Sequence, residues 1–87
     1  MMSSNYLTKI FIRKEIYPNE FRTPIVPDDI CYLLNCGFSH IYVESSDNRI
    51  FTDEEYSKNG GSIVTDEWFN SNYQDCLIIG IKQLPFI

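Results

Sequence analysis

The chain is short of positive charge, of histidine and of long apolar runs, and each shortage removes a class of function. Seven Lys and Arg stand against twelve Asp and Glu, a formal net charge of -5. Phosphate backbones are gripped by a surplus of cations, so nucleic acid is not an expected partner. No apolar run approaches the ~18 residues that cross a bilayer, so no membrane partner is expected. The polar start, residues 1–5, carries no secretory signal, and a cytoplasmic location is expected. Three cysteines, Cys31, Cys36 and Cys76, are an odd number and argue against a disulfide framework. Cys31 and Cys36 are spaced so that they do not share a helix face. With His40 the one histidine, a zinc site lacks its usual ligands. No metal is expected, and the thiols read as buried or half-buried free groups. No repeat and no low-complexity tract is present.

What remains is a globular composition, 44% hydrophobic and 15% aromatic, in 87 residues. That is one small domain, residues 1–87, with about 60% of its unfolded surface to bury and a marginal stability. Residues 7–13 read as a β-branched and aromatic strand, followed by a polar loop over 14–23. Pro27-Asp28-Asp29 opens a helix, because proline suits the first turn and aspartates favour the positive end of the dipole. Ile30, Leu33 and Leu34 share its apolar face, and Gly37 stops it. Residues 41–44 form a second strand, and 45–49 a polar loop. Thr52, with Glu55 three residues on, is the signature of a second helix start. Tyr56 is its core contact and Asn59-Gly60-Gly61 its stop. Residues 62–64 form a third strand and 66–70 a short helical turn whose Trp68 and Phe69 cap the sheet. Residues 75–81 form a fourth strand, apolar enough to be buried on both faces. The alternation predicts an α/β fold: a small open parallel sheet of about four strands with helices on both faces.

Ligands in open α/β sheets bind beyond the carboxyl ends of the strands. Arg13, Lys14, Glu15 and Arg22 fall in the loop after strand one, residues 44–49 after strand two, and Lys82 after strand four. Two of these cations could hold a dicarboxylate or an amino-acid carboxylate. Read blandly, they are solvated charges at strand ends. Residues 53–55 read as charge complementing a helix dipole rather than as a metal site.

The run Glu20-Phe21-Arg22-Thr23-Pro24-Ile25-Val26-Pro27 resembles the arginine motif in the first loop of the alanine dehydrogenase, transhydrogenase and saccharopine dehydrogenase N-terminal domain. Gly37-Phe38-Ser39-His40-Ile41-Tyr42-Val43-Glu44-Ser45-Ser46 looks like that domain's second strand and loop. Phe51-Thr52-Asp53-Glu54-Glu55-Tyr56 looks like its second helix start. Ile78-Ile79-Gly80-Ile81-Lys82-Gln83-Leu84-Pro85 looks like its fourth strand with the active-site lysine. The Gly-Ile-Lys-Gln-Leu-Pro ending and Tyr-Val-Glu-Ser-Ser look closer to the lysine-forming, NAD-dependent saccharopine dehydrogenases than to alanine dehydrogenases, which tend to carry a glycine-rich loop after strand two.

The resemblance implies that Arg22 binds a substrate carboxylate and that Lys82 is one half of an acid–base pair. No role is carried over to Arg13 or Lys14. The family's partner histidine lies past Ile87, and His40 does not match its spacing, so His40 reads as structural or solvent-exposed. The family usually has small apolar residues where Thr23-Pro24 stand. The dinucleotide fingerprint is missing, since Gly60-Gly61 precedes a strand instead of opening a helix. No cofactor is therefore expected in this chain, although the resemblance implies NAD for a full-length parent. The expected function is that of an N-terminal substrate-domain fragment of a saccharopine dehydrogenase-like oxidoreductase of lysine metabolism, inactive alone. The expected partners are an amino-acid or 2-oxo-acid substrate, a second copy, or a missing NAD-binding part. The alternatives are a stand-alone amino-acid or oxo-acid binding or subunit-interaction module, for which the apolar ending Leu84-Pro85-Phe86-Ile87 speaks, and a non-functional truncated remnant.

Overall fold

A computed structural model describes residues 8–17 and 19–81. Lys82, the apolar ending after it and the first residue expected in strand one, Leu7, lie outside the described residues. The elements run β1 (Lys9–Ile12), α1 (Pro27–Asn35), β2 (His40–Glu44), α2 (Asp53–Lys58), β3 (Ser62–Val64), a 3-10 helix (Ser71–Tyr73) and β4 (Cys76–Ile79). The four strands form one sheet in the order β3-β2-β1-β4, and every pairing is parallel.

β1 is central because its side chains are apolar on both faces. Ile10 and Ile12 point to one side, level with Ile41 and Val43 of β2, and pack with Ile30 of α1 and Tyr56 of α2. Phe11 points to the other side, where it packs with Tyr73, Cys76, Trp68 and Ile78. The strand alternation puts residues i and i+2 on one face, and the two clusters follow that period. Both α-helices cover the first face, and the 3-10 helix covers the second.

α1 starts where Pro27 follows an extended Val26, whose side chain has no acceptor. The Asp29 carboxylate instead reaches back to the Val26 N–H at 3.4 Å. α2 has the full reciprocal cap: the Glu55 N–H donates to Thr52 Oγ1 at 3.2 Å and the Thr52 N–H to the Glu55 carboxylate at 2.7 Å. Gly37 (φ 115°) and Gly60 (φ 101°) leave the helices in left-handed conformations that side chains resist.

Four expectations are corrected. β4 is an edge strand, so Leu77, on the helix side of the sheet, is 46% exposed and only Cys76 is buried. The helical turn forms at Ser71–Tyr73 and not at 66–70, because the Asn70 side chain caps it by accepting the Asn72 N–H at 2.9 Å. Trp68 packs on the sheet, but Phe69 meets Trp68 edge-on and is exposed. Cys31 and Cys36 are exposed rather than half-buried, since the buried face of α1 is taken by Ile30 with Leu33 and Leu34. His40 is exposed and stacks on Tyr42 with centroids 5.8 Å apart.

Candidate functional site

Parallel β1, β2 and β3 end together, so residues 13–26, 45–52 and 65 onward are delivered to one edge of the sheet. The first of these loops is held by α2 and the loop before it. The buried Tyr56 hydroxyl donates to the Ile25 carbonyl at 2.5 Å and shares a hydrogen bond with Thr23 Oγ1 at 2.9 Å. The Ile50 N–H donates to the Phe21 carbonyl at 2.9 Å. Thr23 is thus part of the anchor that holds this loop next to Arg22.

Arg22 is 71% exposed at its side chain, yet it is oriented by Glu20, which is 4% exposed. Nε and Nη2 each donate to one Glu20 carboxylate oxygen at 2.8 Å, and the Arg22 backbone N–H adds a third contact at 3.2 Å. This fork is the strong, planar form of the pair. Hydrogen bonding to Glu20 raises the Arg22 pKa further, so the guanidinium is charged throughout. A guanidinium has five N–H donors, and two serve Glu20, so donors remain on its exposed outer edge.

Arg13 is different. Its side chain is 8% exposed, lies 3.6 Å from the equally buried Glu15, and packs flat over Gly80. A Cβ on Gly80 would stand 2.2 Å from Arg13 Cζ. The Glu15 carboxylate also accepts the N–H of Ile81 at 2.7 Å, which ties the end of β1 to the chain just before Lys82. The expected cationic edge is therefore not bare: Arg13 and Arg22 both meet buried carboxylates, Glu15 and Glu20. Lys82 lies outside the described residues.

The loop after β2 is organised by Arg49, 5% exposed at its side chain. It donates to the Glu44 carbonyl at 2.9 Å, to the Phe51 carbonyl at 3.2 Å and to Asp53 at 2.5 Å, and its guanidinium lies 4.6 Å from the Tyr56 ring centre. Burial pushes the Asp53 carboxyl up, but the Ser45 hydroxyl, the Ser46 N–H and Arg49 outweigh it and hold Asp53 below the usual range. Glu44 is the reverse case. Its burial raises its pKa, and the opposing contact is the Lys14 N–H at 3.0 Å. Glu15, Glu44 and Arg49 stand in the loops the sequence places at this edge, but their burial and the part played by Glu20 were not legible, because charges in polar loops read as solvated. The one available signal was the clustering of Glu15, Glu20 and Glu44 at predicted strand ends.

The dinucleotide expectation can be set against these loops. Gly37 and Gly60-Gly61 stand before β2 and β3, at the opposite edge of the sheet, and the loops after β1, β2 and β3 contain no glycine. These three loops, among the described residues, lack the glycine-rich turn of a pyrophosphate cradle.

A model of the alanine dehydrogenase/PNT N-terminal domain matches residues 11–85. The chain belongs to this family. Saccharopine dehydrogenase [NAD(+), L-lysine-forming] of Emericella nidulans is 36% identical over 85 residues, 97% of this chain. The protein of that name from Yarrowia lipolytica is 38% identical over 77 residues, 88% of the chain. Bovine mitochondrial alpha-aminoadipic semialdehyde synthase is 30% identical over 84% of the chain. The chain spans about one fifth of the length of the two fungal enzymes, 22% and 21%, and 7% of the bovine one. Within the family, the matched span includes both the Arg22 loop and Lys82.

Proposed function

We propose that the chain supplies the substrate-binding portion of a saccharopine dehydrogenase-like oxidoreductase of lysine metabolism. Arg22 holds a substrate carboxylate, and Lys82 is one half of an acid–base pair acting at the substrate amine. The observation that carries this is the Glu20-fixed guanidinium of Arg22, exposed beyond the carboxyl ends of the strands, in a chain matched to the family along most of its length. A lysine serves as a base only after losing its charge, and burial in a closing cleft favours that loss. NAD, which appears in the names of the fungal relatives, would belong to a longer parent. The purified chain is expected to form no NADH from saccharopine, and measurable turnover would overturn that.

The direct test is an amide-shift NMR titration of the chain with saccharopine, 2-oxoglutarate and L-lysine. Shifts around Arg22 that vanish in Arg22→Ala support the carboxylate assignment. A folded chain that gives no shifts at millimolar 2-oxoglutarate sinks it and favours a fold kept for interaction alone.

A further inference from the structure

The paired residues of β1 and β4 end at Ile12 and Ile79. Beyond that point the two chain ends stay joined. The Arg13 N–H donates to the Ile79 carbonyl at 3.0 Å. Further along β4's exit, the Ile81 N–H goes to a side chain, the Glu15 carboxylate, at 2.7 Å. An ionised acceptor makes this bond stronger than a neutral carbonyl would. Glu15 in turn lies 3.6 Å from the Arg13 guanidinium, and both side chains are less than a tenth exposed. Gly80, between Ile79 and Ile81, shows the same device from the other side. Its φ is outside the left-handed region, so its backbone does not demand a glycine. What excludes a side chain there is Arg13, whose atoms would stand 2.2 to 2.5 Å from a Cβ. A buried ion pair is a poor source of stability, because desolvation offsets its attraction. What it supplies here is direction.

We infer that Arg13 and Glu15 are positioning residues for Lys82, fixing the backbone from which the lysine leaves the sheet. The inference rests on the acid–base reading of Lys82 above. Ile81 directly precedes Lys82, and consecutive Cα atoms are about 3.8 Å apart, so a bond that pins Ile81 also sets where the lysine starts. Arg13 and Glu15 line the same small hollow as Glu20 and Arg22. One edge of the sheet thus aims two cations, Arg22 through Glu20 and Lys82 through Glu15. Proton transfer is sensitive to displacements of about 1 Å, and a lysine on its flexible stem gains from a fixed base.

The test reads the backbone and the amine of Lys82 separately, by NMR on the 87-residue chain. In wild type the Lys82 amide is expected to be as ordered as the β4 amides, with an order parameter of about 0.8. Glu15→Ala removes the acceptor. It should drop that value below about 0.6 and speed Ile81 amide exchange about tenfold, with the shifts of β2 and β3 unchanged. Glu15→Gln should restore the order, since its side-chain carbonyl still accepts the Ile81 N–H. Gly80→Ala leaves Glu15 in place but displaces Arg13, so it should loosen Lys82 as well, and it decides the question should Glu15→Ala fail to fold. A Lys82 amide that is unordered in wild type, or equally ordered in every variant, overturns the positioning role. The amine is followed by its pH titration, assigned with Lys82→Arg. Binding of 2-oxoglutarate should raise its midpoint by about half a pH unit in wild type and not in Glu15→Ala, while the Arg22 amide responds in both. An amine indifferent to 2-oxoglutarate, beside an amide ordered through Glu15, upholds the clamp and overturns the acid–base reading alone.

Discussion

Arg49 gathers two carbonyls, a carboxylate and an aromatic face around one side chain, and Arg13 lies packed over a glycine. Neither burial is legible in a sequence, where both arginines stand in or beside polar loops; only the closing of the sheet brings the carbonyl ends to them. Arg49→Ala is expected to cost about 2–4 kcal/mol in urea unfolding, since it strips charge-assisted bonds from a nearly buried group. Arg49→Lys should recover only part, because an ammonium cannot reproduce the fork. At Gly80 the added methyl of Gly80→Ala must push the Arg13 guanidinium away from Glu15, for a loss of about 1–3 kcal/mol. Arg22, by contrast, was legible as a candidate, because it stands in a loop motif; its partner Glu20 stood two residues away but gave no sign of being buried.

Among the elements, those whose chemistry is local were readable. Thr52 and Glu55 close their cap as their spacing says, and Pro27, Gly37 and Gly60 punctuate the chain where their backbone preferences put them. Thr52→Ala should remove about 1 kcal/mol from the fold, read as a lower urea midpoint with unchanged slope. Elements defined by their neighbours were less readable. The run Cys-Leu-Ile-Ile of β4 looks like an interior strand, but its place in the sheet is set by the crossing from β3, past β2 and β1, to the far edge. That crossing, and not composition, exposes Leu77. The 3-10 helix was misplaced for a similar reason: Asn70 and Asn72 both suit turns, and Tyr73 decides between them by reaching the second core.

For the molecule as a whole, pH should act at both ends. Burial, together with the 2.8 Å hydrogen bond to Asp66, pushes the Tyr73 hydroxyl up to about 12 from an ordinary value of 10.0. A raised folded-state pKa means stability that is fully present below the unfolded value and is lost as pH climbs through the folded one. Thermal midpoints should therefore fall above pH ~10, and Tyr73→Phe should flatten that limb while lowering the plateau by about 1 kcal/mol. Asp53 works in the other direction. Its folded pKa is depressed, so its contribution is present above the unfolded value and is lost as pH falls through the folded one, and Asp53→Asn should blunt the acid limb.

The pairing of Arg22 with Glu20 has a consequence for how a ligand arrives. Seen from a distance the two charges cancel, and the surrounding chain is acidic by five units. A dianion approaching from beyond the Debye length, about 8 Å at physiological ionic strength, finds no attractive field to guide it. What it meets on contact is a donor edge already locked in orientation, so little rotational freedom is left to freeze. Association of a dianion at Arg22, as proposed above, should consequently be slow and should quicken as added salt screens the repulsion, with selectivity exercised in the residence time rather than in the encounter.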